Sequence, residues 1–140
     1  MRRVFLDVMA ILGLACLPAL VVGLSHGEAA AEAVPLEAGQ VAMADVAELG
    51  DGLLWVDART RAKYEQAHVP GAVHLTPSGW DEGLKELLDA WRPGQAIVVY
   101  CDAATCQASE EVAGMLRDLV GLSDVYVLHG GWEAWQAWQE

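Results

Sequence analysis

The chain has 140 residues and a formal net charge of −12, with 20 acidic against 8 basic side chains. This length suits one domain of ordinary size. The charge argues against binding of nucleic acid or of an anionic membrane surface, because no basic patch is present to neutralise phosphates. Three cysteines are too few for a disulfide-stapled scaffold, and no paired C-x-x-C motif indicates a zinc site. We therefore expect neither a metal nor an organic cofactor.

The amino-terminal segment is predicted to lie outside the domain. A basic pair at residues 2–3 precedes an apolar run over residues 4–24, which is long enough to cross a bilayer as a helix. Because the next lysine or arginine is Arg59, the positive-inside rule places the amino terminus in the cytoplasm and the domain outside, in the periplasm. We expect residues 1–25 to form a single-pass anchor to the membrane. The alternative is a cleaved signal segment and a secreted domain.

Residues 26–40 are rich in Ala, Gly and Glu, which predicts a flexible tether before a domain at residues 41–140. In the domain, short apolar runs alternate with helical stretches. Strands are predicted at residues 53–56, 73–75, 96–100 and 125–128. Helices are predicted at residues 43–49, 61–67, 80–91, 109–119 and 131–138. Near-continuous apolar strands that alternate with helices indicate an α/β fold with a parallel sheet covered on both faces.

Cys101 lies directly after the predicted strand at residues 96–100 and shortly before the predicted helix at residues 109–119. Active sites of parallel sheets gather at the carboxyl ends of strands. Free backbone N–H groups and the positive end of a helix dipole favour a thiolate and can cradle an anion. The predicted anion and persulfide cradle consists of Asp102, Ala103, Ala104, Thr105, Cys106, Gln107 and Ser109. The alternative is that Cys101 is a small buried core residue.

Three ordered stretches resemble the rhodanese family. Residues 56–75 contain Asp-x-Arg after a strand and then His-Val-Pro-Gly-Ala, as in the first rhodanese signature. Residues 127–135 resemble the closing Gly-Gly-Trp-x-x-Trp signature, and the Cys101 loop stands where the rhodanese active-site loop stands. The signature residues of this chain are Asp57, Arg59, His68, Pro70, Gly71, Gly130, Gly131 and Trp132.

The resemblance implies an open parallel sheet of about five strands flanked by helices on both faces. It also implies a sulfurtransferase that carries sulfane sulfur as a persulfide on Cys101, from a small sulfur donor to a thiol or cyanide-like acceptor. Asp57 and Arg59 are expected to pair with each other or to cap nearby backbone, and His68 is expected to be a hydrogen-bonded turn residue. The resemblance does not identify a protein partner.

The loop departs from the common rhodanese pattern. A helix that begins at Ser109 makes the loop about two residues longer than usual. Related phosphatases and arsenate reductases with this fold place an anion-binding Arg after a Cys and five residues, where this chain has Gln107. Asp102 adds negative charge beside the cradle. These residues argue against phosphatase activity and against efficient use of doubly charged thiosulfate.

Cys106 lies five residues after Cys101 in the same loop. If the loop curls around the anion site, the two sulfurs can come within reach of a disulfide, which persists outside the cytoplasm. Cys106 is then a candidate resolving thiol, and its alternative is a core residue at the helix end. Two other functions therefore stay open: a thiol–disulfide redox protein using Cys101 and Cys106, and a catalytically silent membrane-tethered interaction module.

Overall fold

The computed structural model describes residues 36–50, 52–103 and 106–140. The predicted anchor, at residues 1–25, and the tether up to residue 35 lie outside the described residues. Within the described ranges, no helix combines the length and apolar character needed to cross a membrane. The strands are β1 Gln40–Val41, β2 Leu54–Asp57, β3 Val73–His74, β4 Ile97–Tyr100 and β5 Val125–Leu128. The α-helices are α1 Arg61–Gln66, α2 Trp80–Ala90, α3 Gln107–Asp118 and α4 Gly131–Gln139, and 3₁₀ helices span Met43–Leu49 and Pro77–Gly79.

The five strands form one parallel sheet in the order β1-β5-β4-β2-β3. The predicted α/β class, the parallel sheet and the flanking helices are confirmed. β5 has its predicted bounds, and the other predicted strands and the α-helices differ by one or two residues at one or both ends. The prediction missed β1, in which Gln40 and Val41 pair with Val127 and Leu128. The sheet therefore begins at a residue that the sequence analysis assigned to the tether.

Two apolar layers cover the sheet, because successive side chains of a strand point to opposite faces. One layer packs Val56 and Val99 of the sheet against Leu87 of α2 and Leu116 of α3. The other layer packs further strand residues against Val46 of the first 3₁₀ helix, with the partly buried tryptophans of α4 beside it. Those strand residues are Val41, Val98, Tyr100 and Leu128. Both faces are thus buried, as the near-continuous apolar strands predicted.

The strand register brings polar residues together at the carboxyl edge of the sheet. Asp57 is in register with His74 of β3 on one side and with Tyr100 of β4 on the other. Cys101 follows Tyr100 directly. The strand pairing therefore places the Asp57 carboxylate one strand away from the end of β4, where the candidate nucleophile lies.

Candidate active site

Cys101 is 3% exposed and its sulfur forms a disulfide with Cys106. The two Cα atoms are 5.9 Å apart, within the usual range for a disulfide. The backbone N–H of Cys106 donates to the carbonyl of Ala103 at 3.3 Å, which closes a turn inside the loop. The structure thus has the loop in its oxidised form, in which Cys101 carries no free thiolate.

The helix after the loop begins earlier than the sequence predicted. Cys106 is the N-cap of α3, whose first residue is Gln107. The prediction that the helix starts at Ser109 was wrong, and so was the conclusion that the loop is two residues too long. The Ser109 hydroxyl donates to the Cys106 carbonyl at 3.0 Å, so it secures the helix start. The first turn of α3, with its free N–H groups, therefore lies directly against the loop.

The remaining cradle residues are only partly described. Asp102 and Ala103 are half-buried, and Gln107 is exposed on the first turn of α3. Ala104 and Thr105 lie outside the described residues. The contribution of these side chains to an anion cradle stays a prediction.

The amino terminus of α4 holds the start of the loop from the other side. The Trp132 N–H donates to the Cys101 carbonyl at 2.7 Å, and the Glu133 N–H contacts the Asp102 carbonyl at 3.4 Å. Gly130 and Gly131 have φ values of 79° and 55°, in the left-handed region. A Cβ on Gly131 would collide with the Cys101 carbonyl oxygen. The Gly-Gly pair therefore permits α4 to approach the loop closely enough to fix Cys101.

Asp57 and Arg59 form a buried pair, as the sequence predicted. The Asp57 carboxylate is fully buried and accepts from Arg59 Nη2 at 2.6 Å and from Arg59 Nε at 3.0 Å. It also accepts from the Arg59 backbone N–H at 2.9 Å and from the Tyr100 hydroxyl at 2.8 Å. Four donor groups therefore satisfy this carboxylate, and it has no free lone pair aimed at a substrate. These contacts favour a structural role for Asp57 over a catalytic one.

Arg59 connects this pair to α4 and to the end of α1. Its guanidinium carbon lies 4.2 Å from the centre of the Trp132 ring and 5.5 Å from that of Tyr100, and Nη2 donates to the Ala67 carbonyl at 2.6 Å. Burial by itself lowers the pKa of a guanidinium. The hydrogen bonds and charge of Asp57 outweigh burial and raise the pKa of Arg59.

Lys63 places a cation beside the loop, which was not predicted from the sequence. Its Nζ lies 2.8 Å from Oδ2 of Asp102, and both side chains are about half exposed. A pocket of about 280 Å³ opens here beside the loop. It is lined by Arg59, Lys63, Gln66, Ala67, Asp102, Trp132 and Gln136. Lys63 of α1 therefore partly offsets the negative charge that Asp102 adds beside the cradle.

The remaining signature residues form the turn before β3. The His68 ring stacks on the Tyr64 ring, with 4.0 Å between the ring centres, and His68 Nδ1 donates to the Tyr64 carbonyl at 2.8 Å. His68 is therefore a hydrogen-bonded turn residue, as expected. Gly71 follows Pro70 in the turn and has a φ of 79°. The Tyr100 hydroxyl accepts from the Val69 N–H at 3.1 Å. This turn is therefore tied to the same buried network as Asp57.

Sequence reasoning missed Lys63, Tyr100 and His74. His74 Nε2 donates to the Arg59 carbonyl at 2.8 Å, so it supports the residue that carries the guanidinium. Its position within the short strand predicted at residues 73–75 was the available signal. In the ranges that the structure describes, no group of three or more His, Cys, Asp or Glu side chains is arranged to hold a metal ion.

Comparisons with known proteins agree with this fold. A family model described as rhodanese-like domain matches residues 43–137. The chain is 35% identical over 81 residues to the thiosulfate sulfurtransferase GlpE of Coxiella burnetii (strain RSA 331 / Henzerling II). That alignment covers 58% of this chain and 69% of the relative.

Solved structures show the same architecture. The BH2092 protein from Bacillus halodurans superposes with a TM-score of 0.57 at 23% identity, over 71% of this chain and 72% of that one. The rhodanese-like domain of the Alr3790 protein from Anabaena sp. gives a TM-score of 0.52 at 26% identity, over 73% and 75% of the two chains. The family model covers well over half of the sequence, and the signature residues form one connected site. The chain therefore belongs to the rhodanese-like domain family.

Proposed function

We propose that this chain is a sulfurtransferase that carries sulfane sulfur as a persulfide on Cys101. The observation that carries the proposal is the position of Cys101 at the end of β4. Its carbonyl is held by the Trp132 N–H, and its loop leads into the amino terminus of α3. Membership of the family and a relative named as a thiosulfate sulfurtransferase support the same activity.

The reaction proceeds in two covalent steps after the disulfide has been reduced. The Cys101 thiolate attacks the sulfane sulfur of the donor, which forms a Cys101 persulfide and breaks the donor's own sulfur–sulfur bond. With thiosulfate as donor, the leaving group is sulfite. A thiol or cyanide acceptor then attacks the outer sulfur and returns the Cys101 thiolate. Free N–H groups at the start of α3 stabilise the persulfide anion.

The charges beside the loop suit an anionic donor better than the sequence indicated. The Lys63 ammonium offsets the Asp102 carboxylate at 2.8 Å. Arg59 lines the same pocket, but the buried Asp57 carboxylate matches its charge, so Lys63 is the cation that changes the balance here. We therefore include thiosulfate among the donors, together with less highly charged thiosulfonates.

The domain is proposed to work outside the cytoplasm, held at the membrane by residues 1–25. The apolar run and the basic pair before it support this location. The Cys101–Cys106 disulfide is consistent with an oxidising compartment. A secreted form, released after cleavage of the amino-terminal segment, is the alternative.

A second candidate function is thiol–disulfide exchange without persulfide formation. The observation that favours it is the disulfide itself, which joins the candidate nucleophile to another loop residue. In this case Cys101 and Cys106 pass two electrons to or from a partner thiol pair and no sulfur atom is carried.

Intact-mass analysis of the reduced full-length chain separates these functions. We would use a Cys16→Ser background, so that Cys101 and Cys106 are the cysteines under test, and expose the protein to thiosulfate or to a benzenethiosulfonate anion. Sulfurtransferase activity predicts the gain of one sulfur atom by a Cys106→Ser variant and no gain by a Cys101→Ser variant. Loss of two hydrogens on exposure to a small-molecule disulfide, which is itself reduced to two thiols, with no sulfur gained from either donor, would favour the redox function. No reaction with either donor would leave a silent membrane-tethered module.

A further inference from the structure

We propose that Cys106 resolves the Cys101 persulfide inside the loop and releases the carried sulfur as sulfide. The inference rests on the proposed persulfide of Cys101. It adds a further activity, the reduction of sulfane sulfur to sulfide at the expense of a dithiol.

The disulfide shows that the two sulfurs meet. In a Cys101 persulfide, the inner sulfur is Cys101 Sγ, which is the atom bonded to Cys106 Sγ in this structure. The bonded pair is therefore the expected product of attack by Cys106 on that inner sulfur. The Cα separation of 5.9 Å lies within the ordinary range for a disulfide, so Cys101 and Cys106 stand at a distance that this bond can span.

Both ends of the loop are held in place for this attack. The Cys101 carbonyl accepts from the Trp132 N–H at 2.7 Å. The Cys106 carbonyl accepts from the Ser109 hydroxyl at 3.0 Å, and Ser109 is itself buried. Two thiols anchored in this way react as an intramolecular pair, which greatly raises their effective concentration.

Cys106 is also placed where its thiolate is favoured. It is the N-cap of the twelve-residue helix α3, beside the free N–H groups and the positive end of the helix dipole. A thiolate is the attacking form in thiol–disulfide chemistry. The same helix terminus therefore serves the persulfide of Cys101 and the nucleophile that resolves it.

The step balances without an external oxidant. The Cys106 thiolate attacks Cys101 Sγ, the bond between Cys101 Sγ and the outer sulfur breaks, and the outer sulfur leaves as HS⁻. Cys106 Sγ is oxidised from the thiolate to the disulfide level, Cys101 Sγ keeps the oxidation level that it had in the persulfide, and the outer sulfur takes the electron pair and is reduced to sulfide. An external dithiol protein or small dithiol then reduces the disulfide by exchange and is itself oxidised. Sulfide release competes with transfer to cyanide, which attacks the outer sulfur instead.

A single-turnover experiment tests the proposal. The full-length chain with Cys16→Ser is reduced, freed of reductant under anaerobic conditions, and mixed with thiosulfate or a benzenethiosulfonate anion. No external thiol is present, because an added thiol would release sulfide from any persulfide. Sulfide is measured with a fluorescent trap, and the final protein by intact mass. The matched variants are Cys106→Ser and Cys106→Ala.

With Cys106 present, we expect one sulfide per chain, first-order kinetics independent of protein concentration, and a final protein that is two hydrogens lighter. In both variants the sulfide yield should fall by at least about tenfold, because the intramolecular thiol is gone. Any persulfide that the variants form should persist on Cys101 until cyanide removes its outer sulfur as thiocyanate, which also shows that they are folded.

A stable persulfide on the chain that retains Cys106, with no sulfide released, overturns the inference and leaves the proposed function intact. This arm needs no variant and so does not depend on variant folding. If neither donor loads Cys101 in any of the proteins, the proposed function and this inference fall together.

Discussion

A methyl group added at Gly131 tests whether the contact between α4 and the loop positions Cys101. Gly131 has a φ of 55°, and a Cβ there would collide with the Cys101 carbonyl oxygen. That oxygen also accepts the 2.7 Å hydrogen bond from Trp132. Gly131→Ala must therefore push α4 away from the loop.

Two costs add in this variant. The left-handed backbone of an L-residue costs about 1–2 kcal/mol. Overpacking against the Cys101 carbonyl adds about 1–3 kcal/mol. Gly121 is the matched control, because its φ is 81° and a Cβ there would meet nothing within 4 Å. Gly121→Ala therefore carries only the backbone cost, and the difference in unfolding free energy between the two variants isolates the contact with the loop.

The free energy of unfolding is measured by urea titration, and persulfide loading by quenched single turnover after reduction. We expect Gly131→Ala to be less stable than Gly121→Ala by about 1–3 kcal/mol and to load sulfur more slowly. Gly121→Ala should load at the wild-type rate. Equal stability and equal loading in the two variants would refute the argument that α4 fixes Cys101.

Three further predictions follow from the buried network and the loop. Asp57→Asn leaves the Arg59 guanidinium buried without its counter-ion and should lower the free energy of unfolding by about 3–5 kcal/mol in urea titrations. Burial raises the pKa of Tyr100 above its ordinary value of 10.0. Above pH 10.0 the unfolded chain therefore loses a proton that the folded chain keeps, so the free energy of unfolding falls as the pH rises. The difference in this free energy between wild type and Tyr100→Phe should be constant below pH 10.0 and shrink above it. Lys63→Met should slow loading from thiosulfate by a few-fold at low salt and less at high salt, whereas Lys85→Met on the exposed face of α2 should change it little.

The sequence predicted the sheet well because its strands are buried on both faces. The apolar run of β4 is fully buried at Ile97, Val98, Val99 and Tyr100. Such a run is typical of a central strand or a core helix, and its short length favours a strand. β1 could not be predicted in the same way. Two residues carry no periodic pattern, and the strand exists because Gln40 and Val41 add to the edge of β5.

The start of α3 was misplaced for a local reason. Ser is a favoured N-cap residue, whereas Cys106 makes no capping hydrogen bond through its side chain. Ser109 nevertheless lies inside the first turn and bonds back to the Cys106 carbonyl. Side chains that bond to their own backbone in this way support more than one helix start. Which residue starts the helix depends on how the loop packs, and helix propensity carries no information on that packing.

Contacts between distant segments explain the rest of what sequence reasoning missed. Lys63 and Asp102 are 39 positions apart in the chain, and Tyr100 and Asp57 are 43 apart. The sequence indicated that Asp57 and Arg59 would pair, since they are neighbours. It did not indicate that Lys63 would neutralise Asp102. The roles of Cys101 and Cys106 in catalysis and the membrane anchor stay predictions.

The buried Arg59 explains why two signatures far apart in the sequence belong to one site. Its guanidinium is held by Asp57 in the first signature and lies 4.2 Å from the Trp132 ring in the last. The backbone N–H of the same Trp132 holds the Cys101 carbonyl at 2.7 Å. A continuous series of contacts thus runs from Asp57 through Arg59 and Trp132 to Cys101. The Asp57 carboxylate has no free lone pair for chemistry, but the Arg59 guanidinium that it holds supports α4, and α4 fixes the Cys101 loop. The signature residues therefore act on the candidate nucleophile by positioning it.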